Sequence, residues 1–286
     1  MLLILLVLQA VPALGGIYSS SGNITTNGKV FNIKLVRAPL SEYAPKVRLA
    51  NNTMGNTTTL ESIAIRNEAT AAINGCFFDA YTSSPVKKPY LTIISDGKIM
   101  NVATWGTILG FNEQGEYRME HEKFSLRNGA KASESPEFWS SVTEAIGCGP
   151  MLVKNGAISV NPQAEGYSED KILTMAAQRS AVGINAKREI LLLTCKKATI
   201  RDLAYVMKAL GCVDAMNLDG GASSGLWIKG KYLTRPGRLL SNALLLVKRQ
   251  SIITGYLNIP LKTETDEHLK IAFGNVLPSS LPSDAK

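Results

Sequence analysis

The segment Asn217-Leu218-Asp219-Gly220-Gly221-Ala222-Ser223-Ser224 restricts the fold more than any other, because it ends an apolar run, residues 213–218, in a carboxylate, two glycines and two hydroxyls. Such a run reads as a buried strand, and the glycine pair that breaks it reads as a loop at the strand's carboxyl end. Lacking a Cβ, Gly220 and Gly221 can take positive φ and turn N–H groups inward toward an anionic oxygen. Asp219 adds an acid, a base or a metal ligand, and Ser223 and Ser224 add donors. The same residues also make an ordinary capped turn, so the loop gains functional weight only from the rest of the chain.

Two further segments supply that weight. Ala71-Ala72-Ile73 runs into Asn74-Gly75, then Cys76, Phe77, Phe78 and Asp79, which is again a buried strand delivering polar groups to a loop. Gly147-Cys148-Gly149-Pro150 is a turn that opens the short strand Met151-Leu152-Val153 and closes on Asn155-Gly156. Downstream lies Arg179-Ser180-Ala181-Val182-Gly183-Ile184. In this order, over roughly residues 29–247, these motifs resemble the phosphodiester glycosidase family. That family usually carries glycine where this chain has Cys76 and Ala222. If either position needs a left-handed backbone, the Cβ costs about 1 kcal/mol.

The resemblance implies a hydrolase that cleaves the glycosidic bond of a sugar-phosphate diester, such as an N-acetylglucosamine phosphodiester, in an extracellular or cell-envelope glycan. A non-catalytic module that binds anionic glycans and a phosphodiesterase that cleaves P–O bonds are the alternatives. For the glycosidase, the departing phosphomonoester needs charge stabilisation more than a strong acid, and the sugar needs polar contacts. Asp219 is the leading catalytic carboxylate, as nucleophile or general base, with Asp79 second. Arg179 is the expected phosphate clamp, through the bidentate fork of its guanidinium. Asn74 completes the catalytic set. Gly220, Gly221, Ser223, Ser224, Gly149, Asn217 and Asn242 are the expected substrate-binding residues, although each asparagine could instead satisfy backbone groups at a strand end. His121 and His268 match no motif position.

No cofactor is required by this chemistry. Asp219, Asp79 and nearby amide or carbonyl oxygens could hold calcium, but no calcium-loop spacing is present, and the glycine pair lacks the Gly-Lys-Ser/Thr of a nucleotide loop. The formal charge of +8 favours anionic partners. These would be a glycosyl phosphodiester or a phosphate-containing polysaccharide, and not nucleic acid, for which no zinc spacing, aromatic RNP-like strand or basic helix is found. Lys229, Lys231, Arg235 and Arg238 fall on an expected hairpin and either rim the cleft or form a solvated basic turn.

The remaining patterning gives an α+β fold: mixed, strand-rich sheets with a few packed helices in a single catalytic domain over residues 17–250. Residues 29–37 alternate as a half-buried strand ending before Pro39, 60–68 have helical spacing, and Asp96-Gly97 turns a hairpin within 91–99. Another hairpin is expected over 107–119, and 131–143 reads as a loop or short helix. Residues 199–211 are the clearest helix, with Thr199 as N-cap, Gly211 as stop, and its Met and Tyr packed into the core. Strands at 190–194 and 241–247 complete the pattern. Four cysteines, Cys76, Cys148, Cys195 and Cys212, show no paired spacing; Cys76 with Cys148 would be the disulfide if one forms, against buried thiols. Residues 1–16 are apolar with a small-residue end, a signal peptide, whole or truncated, which places the mature protein outside the cell or in the envelope with no stable membrane span. Residues 251–286 form a polar tail expected to be partly disordered.

Overall fold

The computed structural model describes residues 16–121 and 136–250; the expected leader before Gly16, the 131–135 stretch and the tail beyond Gln250 lie outside them. The chain runs β1 (Tyr18–Thr26), β2 (Lys29–Pro39), β3 (Tyr43–Leu49), α1 (Leu60–Arg66), β4 (Ala71–Asn74), β5 (Ile93–Ser95), β6 (Lys98–Asn101), β7 (Thr107–Asn112), β8 (Tyr117–His121), α2 (Pro136–Ser140), β9 (Val142–Cys148), β10 (Met151–Lys154) and β11 (Ala157–Ile158). It continues through α3 (Asp170–Leu173), β12 (Ala177–Asn185), β13 (Glu189–Ala198), α4 (Ile200–Ala209), β14 (Cys212–Leu218), β15 (Leu226–Ile228), β16 (Lys231–Thr234) and β17 (Asn242–Lys248).

The strands form three sheets, of order β1-β2-β13-β12-β14-β10-β11, β16-β15-β4-β17-β3 and β6-β5-β9-β7-β8. Val36, Val182 and Met216 of the first sheet, Ile73 and Leu244 of the second, and Leu109 and Ile146 of the third meet in one central core. Each sheet's other face is covered by a helix. Leu203, Val206 and Met207 of α4 pack on the first sheet, Leu60 and Ile63 of α1 on the second, and Phe138 and Trp139 of α2 on the third. Strands covered on both faces lose the alternation of a half-exposed strand, which is why β4 and most of β12, β14 and β17 read as unbroken apolar runs.

Local sequence explains the element ends. Thr199 and Asp202 form a capping box, each side chain accepting the other's backbone N–H. Asp96 and Gly97, at φ 48° and 73°, make the hairpin turn between β5 and β6. The strand expected at 29–37 runs on through Pro39, which as last residue forfeits no ladder bond. Among the elements that went unanticipated are α3, β11, β1 and β3, whose Pro45 is tolerated because β3 is an edge strand. The expected core role of the α4 aromatic fails, since Tyr205 is half-buried while Met207 is fully enclosed. No helix among the described residues is long and apolar enough to cross a membrane.

An ion-pair network joins the second and third sheets. Glu144 on β9 is buried and accepts from the Val47 N–H at 2.8 Å, from Arg48 Nη1 at 3.0 Å, and pairs with Lys46 Nζ at 3.0 Å. Burial raises its carboxyl pKa against these partners. Removing one member of a buried pair strands the other, so Glu144→Ala is expected to cost about 3 kcal/mol. Urea denaturation should show a lower midpoint at unchanged slope.

Candidate active site

Four strand ends converge where the first and second sheets abut: the carboxyl ends of β4 and β14 and the amino ends of β12 and β17. The loops they carry are tied by side chains. Asn74 is buried; its Oδ1 accepts from Ser180 Oγ at 2.7 Å and from the Gly225 N–H at 3.0 Å, and its Nδ2 donates to the Asp219 carbonyl at 2.6 Å. The Asp219 N–H in turn donates to the Gly75 carbonyl at 3.1 Å. Asn242 Oδ1 accepts from the Cys76 N–H at 2.7 Å, and Asn217 Nδ2 donates to the Gly149 carbonyl at 2.8 Å. Gly75 has to be glycine, because a Cβ there would lie 1.9 Å from Asn242 Oδ1.

These contacts seat Asp219 in a pocket of about 200 Å³ with Phe77, Phe78, Tyr81, Tyr90, Lys171, Arg179, Gly220, Gly221, Ser223 and Arg238 among its walls. Larger recesses exist elsewhere, such as one of about 370 Å³ beside Lys46, Asp96 and Glu144, but they hold none of the glycine-loop residues. Asp219 is the one carboxylate among the pocket's lining residues, and Arg179, Lys171 and Arg238 are its cations. Burial pushes the Asp219 carboxyl up to about 6. Hydrogen bonds from the Ser223 hydroxyl and the Gly220 N–H, and the charges of Arg238 and Lys171, pull the other way without cancelling it.

The structure divides the expected site residues into two layers. Asp219, Arg179, Gly220, Gly221 and Ser223 line the pocket. Asn74, Asn217, Asn242 and Gly149 do not; they hold the loops from behind, so the backbone-satisfying alternative describes the asparagines. Ser224 is also buried behind the pocket wall, and its Oγ and Asn217 Oδ1 have no hydrogen-bond partner among the described residues. Asp79 stands on the rim, where its Oδ1 accepts from the Tyr90 hydroxyl at 3.2 Å.

Two expectations need correction. The Arg179 fork is not open to an incoming phosphate: Nε donates to the Ala198 carbonyl at 3.0 Å and Nη2 to the Lys171 and Met175 carbonyls, each at 2.6 Å. Only Nη1 remains, so Arg179 presents one donor and a fixed charge, which burial makes easier to deprotonate than an ordinary arginine. The Gly220 N–H is likewise committed, donating to Asp219 Oδ1 at 2.9 Å. Of the glycine pair only Gly221 has a left-handed backbone, at φ 60°; Cys76 and Ala222 are not left-handed, so replacing the family's glycines there causes no strain.

Of the four basic residues on the β15–β16 side, Arg238 lines the pocket, while Arg235 lies over the Tyr232 ring at 4.2 Å. Lys171, Tyr81 and Tyr90 were not foreseen as site residues. Lys171 sits in a polar stretch without motif character, and Tyr81 follows Asp79 by two residues in a loop whose path the sequence does not fix. A calcium ion would need several converging oxygens. The Asp219 carboxylate is met by N–H and O–H donors and surrounded by cations, and Asp79 is turned to Tyr90, so these residues do not fit one. Among the described residues no cluster of three or more His, Cys, Asp or Glu side chains could hold a metal. All four cysteines are buried free thiols; burial pushes the Cys76 thiol up to about 12 and raises that of Cys148 as well.

The sequence model of the phosphodiester glycosidase family matches residues 67–247. Among solved structures, a protein of Synechocystis aligns with a TM-score of 0.71 at 19% identity, covering 82% of this chain and 62% of that one, so this chain spans less than two thirds of that protein's length. The catalytic domain of zebrafish N-acetylglucosamine-1-phosphodiester alpha-N-acetylglucosaminidase, auto-inhibited by its pro-peptide, aligns with a TM-score of 0.67 at 17% identity, covering 84% of this chain and 86% of that one. No curated protein matches the chain.

Proposed function

The chain belongs to the phosphodiester glycosidase family, and we propose that it hydrolyses the glycosidic bond of a sugar 1-phosphodiester, with N-acetylglucosamine phosphodiesters as the first substrate class. The observation that carries this reading is the pocket's asymmetry: one carboxylate, Asp219, facing Arg179, Lys171 and Arg238.

That asymmetry matches the reaction's demands. When the bond between the anomeric carbon and the phosphate oxygen breaks, its electron pair stays on a phosphomonoester that is already a good anionic leaving group. A second carboxyl to protonate it, as ordinary glycosidases use, is then unnecessary, and fixed positive charge that stabilises the departing phosphate does more. Asp219 supplies the opposite need, an electron pair either to a water proton or to the anomeric carbon. The three cations flank it, so the phosphate and the carboxylate can share the pocket without net repulsion. Asp79, on the rim, has no step in this scheme.

In either role Asp219 must be ionised, and its raised pKa brings the transition close to neutrality. With the carboxyl at about 6, kcat/KM on a glycosyl phosphodiester is expected to fall about tenfold per pH unit below that value and to level off above it. A profile flat down to pH 4 would remove Asp219 from the chemistry. The apolar leader read at residues 1–16 supports export, and a phosphate-containing extracellular or envelope glycan is the setting we assign. The positive formal charge suits such a polymer.

A further inference from the structure

A second recess carries charge without its complement. Leu40, Ser41, Gln114, Lys187, Arg188 and Arg249 are among its walls, and it encloses about 500 Å³, inside the ~300–1,000 Å³ range of ligand sites. It lies at the opposite end of the strands that build the active site. Strand β17 leads from Asn242, behind the Asp219 loop, to Lys248 just before Arg249, so at ~3.3 Å per residue the two sites stand about 20 Å apart. Three of the described lining residues are cations and none is a carboxylate. The recesses beside Glu144 and Asp214, by contrast, mix acids with bases.

These cations are held in place by neutral groups. Arg188 Nη2 donates to the Gly115 carbonyl at 2.8 Å, and Arg249 Nε donates to the Leu40 carbonyl at 3.0 Å. Arg249 Nη2 also packs on Gly115, where a Cβ would stand 2.6 Å from it, so both guanidiniums are brought to one glycine. Asn185 fixes the backbone of the third cation, its Oδ1 accepting from the Lys187 N–H at 3.0 Å. None of Lys187, Arg188 and Arg249 forms an ion pair with a described residue. Glu189, next to Arg188, is turned to Arg37 and Asn185. Like charges gathered around one point repel. An anion seated among them turns that repulsion into attraction.

We propose that this recess is a second, non-catalytic binding site for phosphate, and that it holds a phosphate group of the same polysaccharide whose glycosyl phosphodiester bond is cut at Asp219. Two guanidinium forks and an ammonium suit an oxyanion that presents oxygens in several directions. The volume exceeds that of phosphate alone, so a flanking sugar fits as well, with the Ser41 hydroxyl and the Gln114 amide available to its hydroxyls. The identity of the polymer rests on the glycosidase reading; the anion site itself does not. A polymer held here stays at the enzyme between cuts, which makes each further encounter with the Asp219 pocket intramolecular.

The test uses the full chain, a linear polymer of N-acetylglucosamine 1-phosphate, and the methyl phosphodiester of N-acetylglucosamine as its monomer. Binding is measured with Asp219→Asn present, to leave the polymer uncut, and turnover with Asp219 intact. Arg188→Gln with Arg249→Gln is expected to weaken polymer binding at least about tenfold, the scale of lost charge-assisted contacts. It should lower kcat/KM on the polymer to match and leave that on the monomer unchanged. Lys187→Gln, which breaks no side-chain hydrogen bond among the described residues, should weaken polymer binding about threefold, a smaller share of the same effect. Arg201→Gln with Lys208→Gln removes equal charge from the exposed side of α4 and should leave polymer binding nearly unchanged. An equal loss in that control, or no loss in the variants of the recess, overturns the site. Equally tight binding of polygalacturonate, lost in the same variants, overturns the assignment to phosphate. If the wild-type chain turns over neither polymer nor monomer, the glycosidase reading fails, while polymer binding lost only in the variants of the recess still establishes the anion site.

Discussion

Asp219→Asn is expected to lower kcat by about a thousandfold or more, the scale of a removed general base, while the affinity for an unreacted diester stays within a few fold. The amide keeps the shape of the carboxylate and an oxygen able to accept from the Gly220 N–H, so the loop geometry should survive. What is lost is the electron pair the reaction needs. Rapid-quench turnover and equilibrium binding of the same diester separate the two effects.

The same substitution is expected to stabilise the fold at neutral pH. The Asp219 carboxyl sits at about 6 in the folded protein, against about 3.9 for an unperturbed aspartate, so the folded state holds the proton more tightly than the unfolded one. The contribution of Asp219 to wild-type stability is therefore greatest below pH 4, falls as the pH rises from 4 to 6, and is level above that. The full difference would be about 3 kcal/mol. Because Asp219 keeps partial solvent access, about 1–2 kcal/mol is the expected loss. Asp219→Asn has no such titration, so its melting temperature relative to wild type should climb through this window and exceed it by a few degrees at pH 7. A residue whose removal abolishes turnover and strengthens the fold is a functional residue kept at a structural cost.

Asn74→Ala should show the reverse sign on stability and the same sign on activity. Its amide takes two donors, Ser180 Oγ and the Gly225 N–H, and gives one to the Asp219 carbonyl. Alanine would leave three buried polar groups without partners at about 1–3 kcal/mol apiece, partly relieved by relaxation or entering water. A net cost of about 4 kcal/mol corresponds to a melting temperature lower by about 8–16 °C in a domain of this size. Because Asn74 is what ties the β4 loop to β12 and to the Asp219 backbone, turnover below that temperature should also drop at least about a hundredfold, as a misplacement near 1 Å does. If Asn74→Ala melts like wild type, the three-way anchor described here does not hold the site together.

The sequence was informative where a strand ends in residues that cannot continue it. Asn74-Gly75, Gly149-Pro150 and Asp219-Gly220-Gly221 all mark real strand ends, and the unbroken apolar runs before them follow from strands enclosed on both faces. The strand containing Arg179 was visible only as a motif, and β3 was hidden by Pro45, because propensity argues against a strand that edge position permits. The roles of the polar residues were harder to read. Asn74 finds partners 106, 145 and 151 residues away, and nothing local distinguishes such an anchor from a sugar-binding amide. Arg179 illustrates the same point: its residue type suggests a bidentate clamp, while the carbonyls of Ala198, Lys171 and Met175 that occupy the fork are supplied by the fold. Lys171, on the one-turn helix α3, and Tyr81, in the loop after β4, reach the pocket only through the path of the chain around them, which no periodicity encodes.

The central claim is cleavage of the carbon–oxygen bond at the sugar by a pocket with one carboxylate. Hydrolysis of an N-acetylglucosamine phosphodiester in oxygen-18 water, followed by mass spectrometry of both products, tests it most directly. Label on the sugar, with none on the phosphate and none formed by Asp219→Asn, is the predicted result. Label on the phosphate would make the protein a phosphodiesterase and contradict the account.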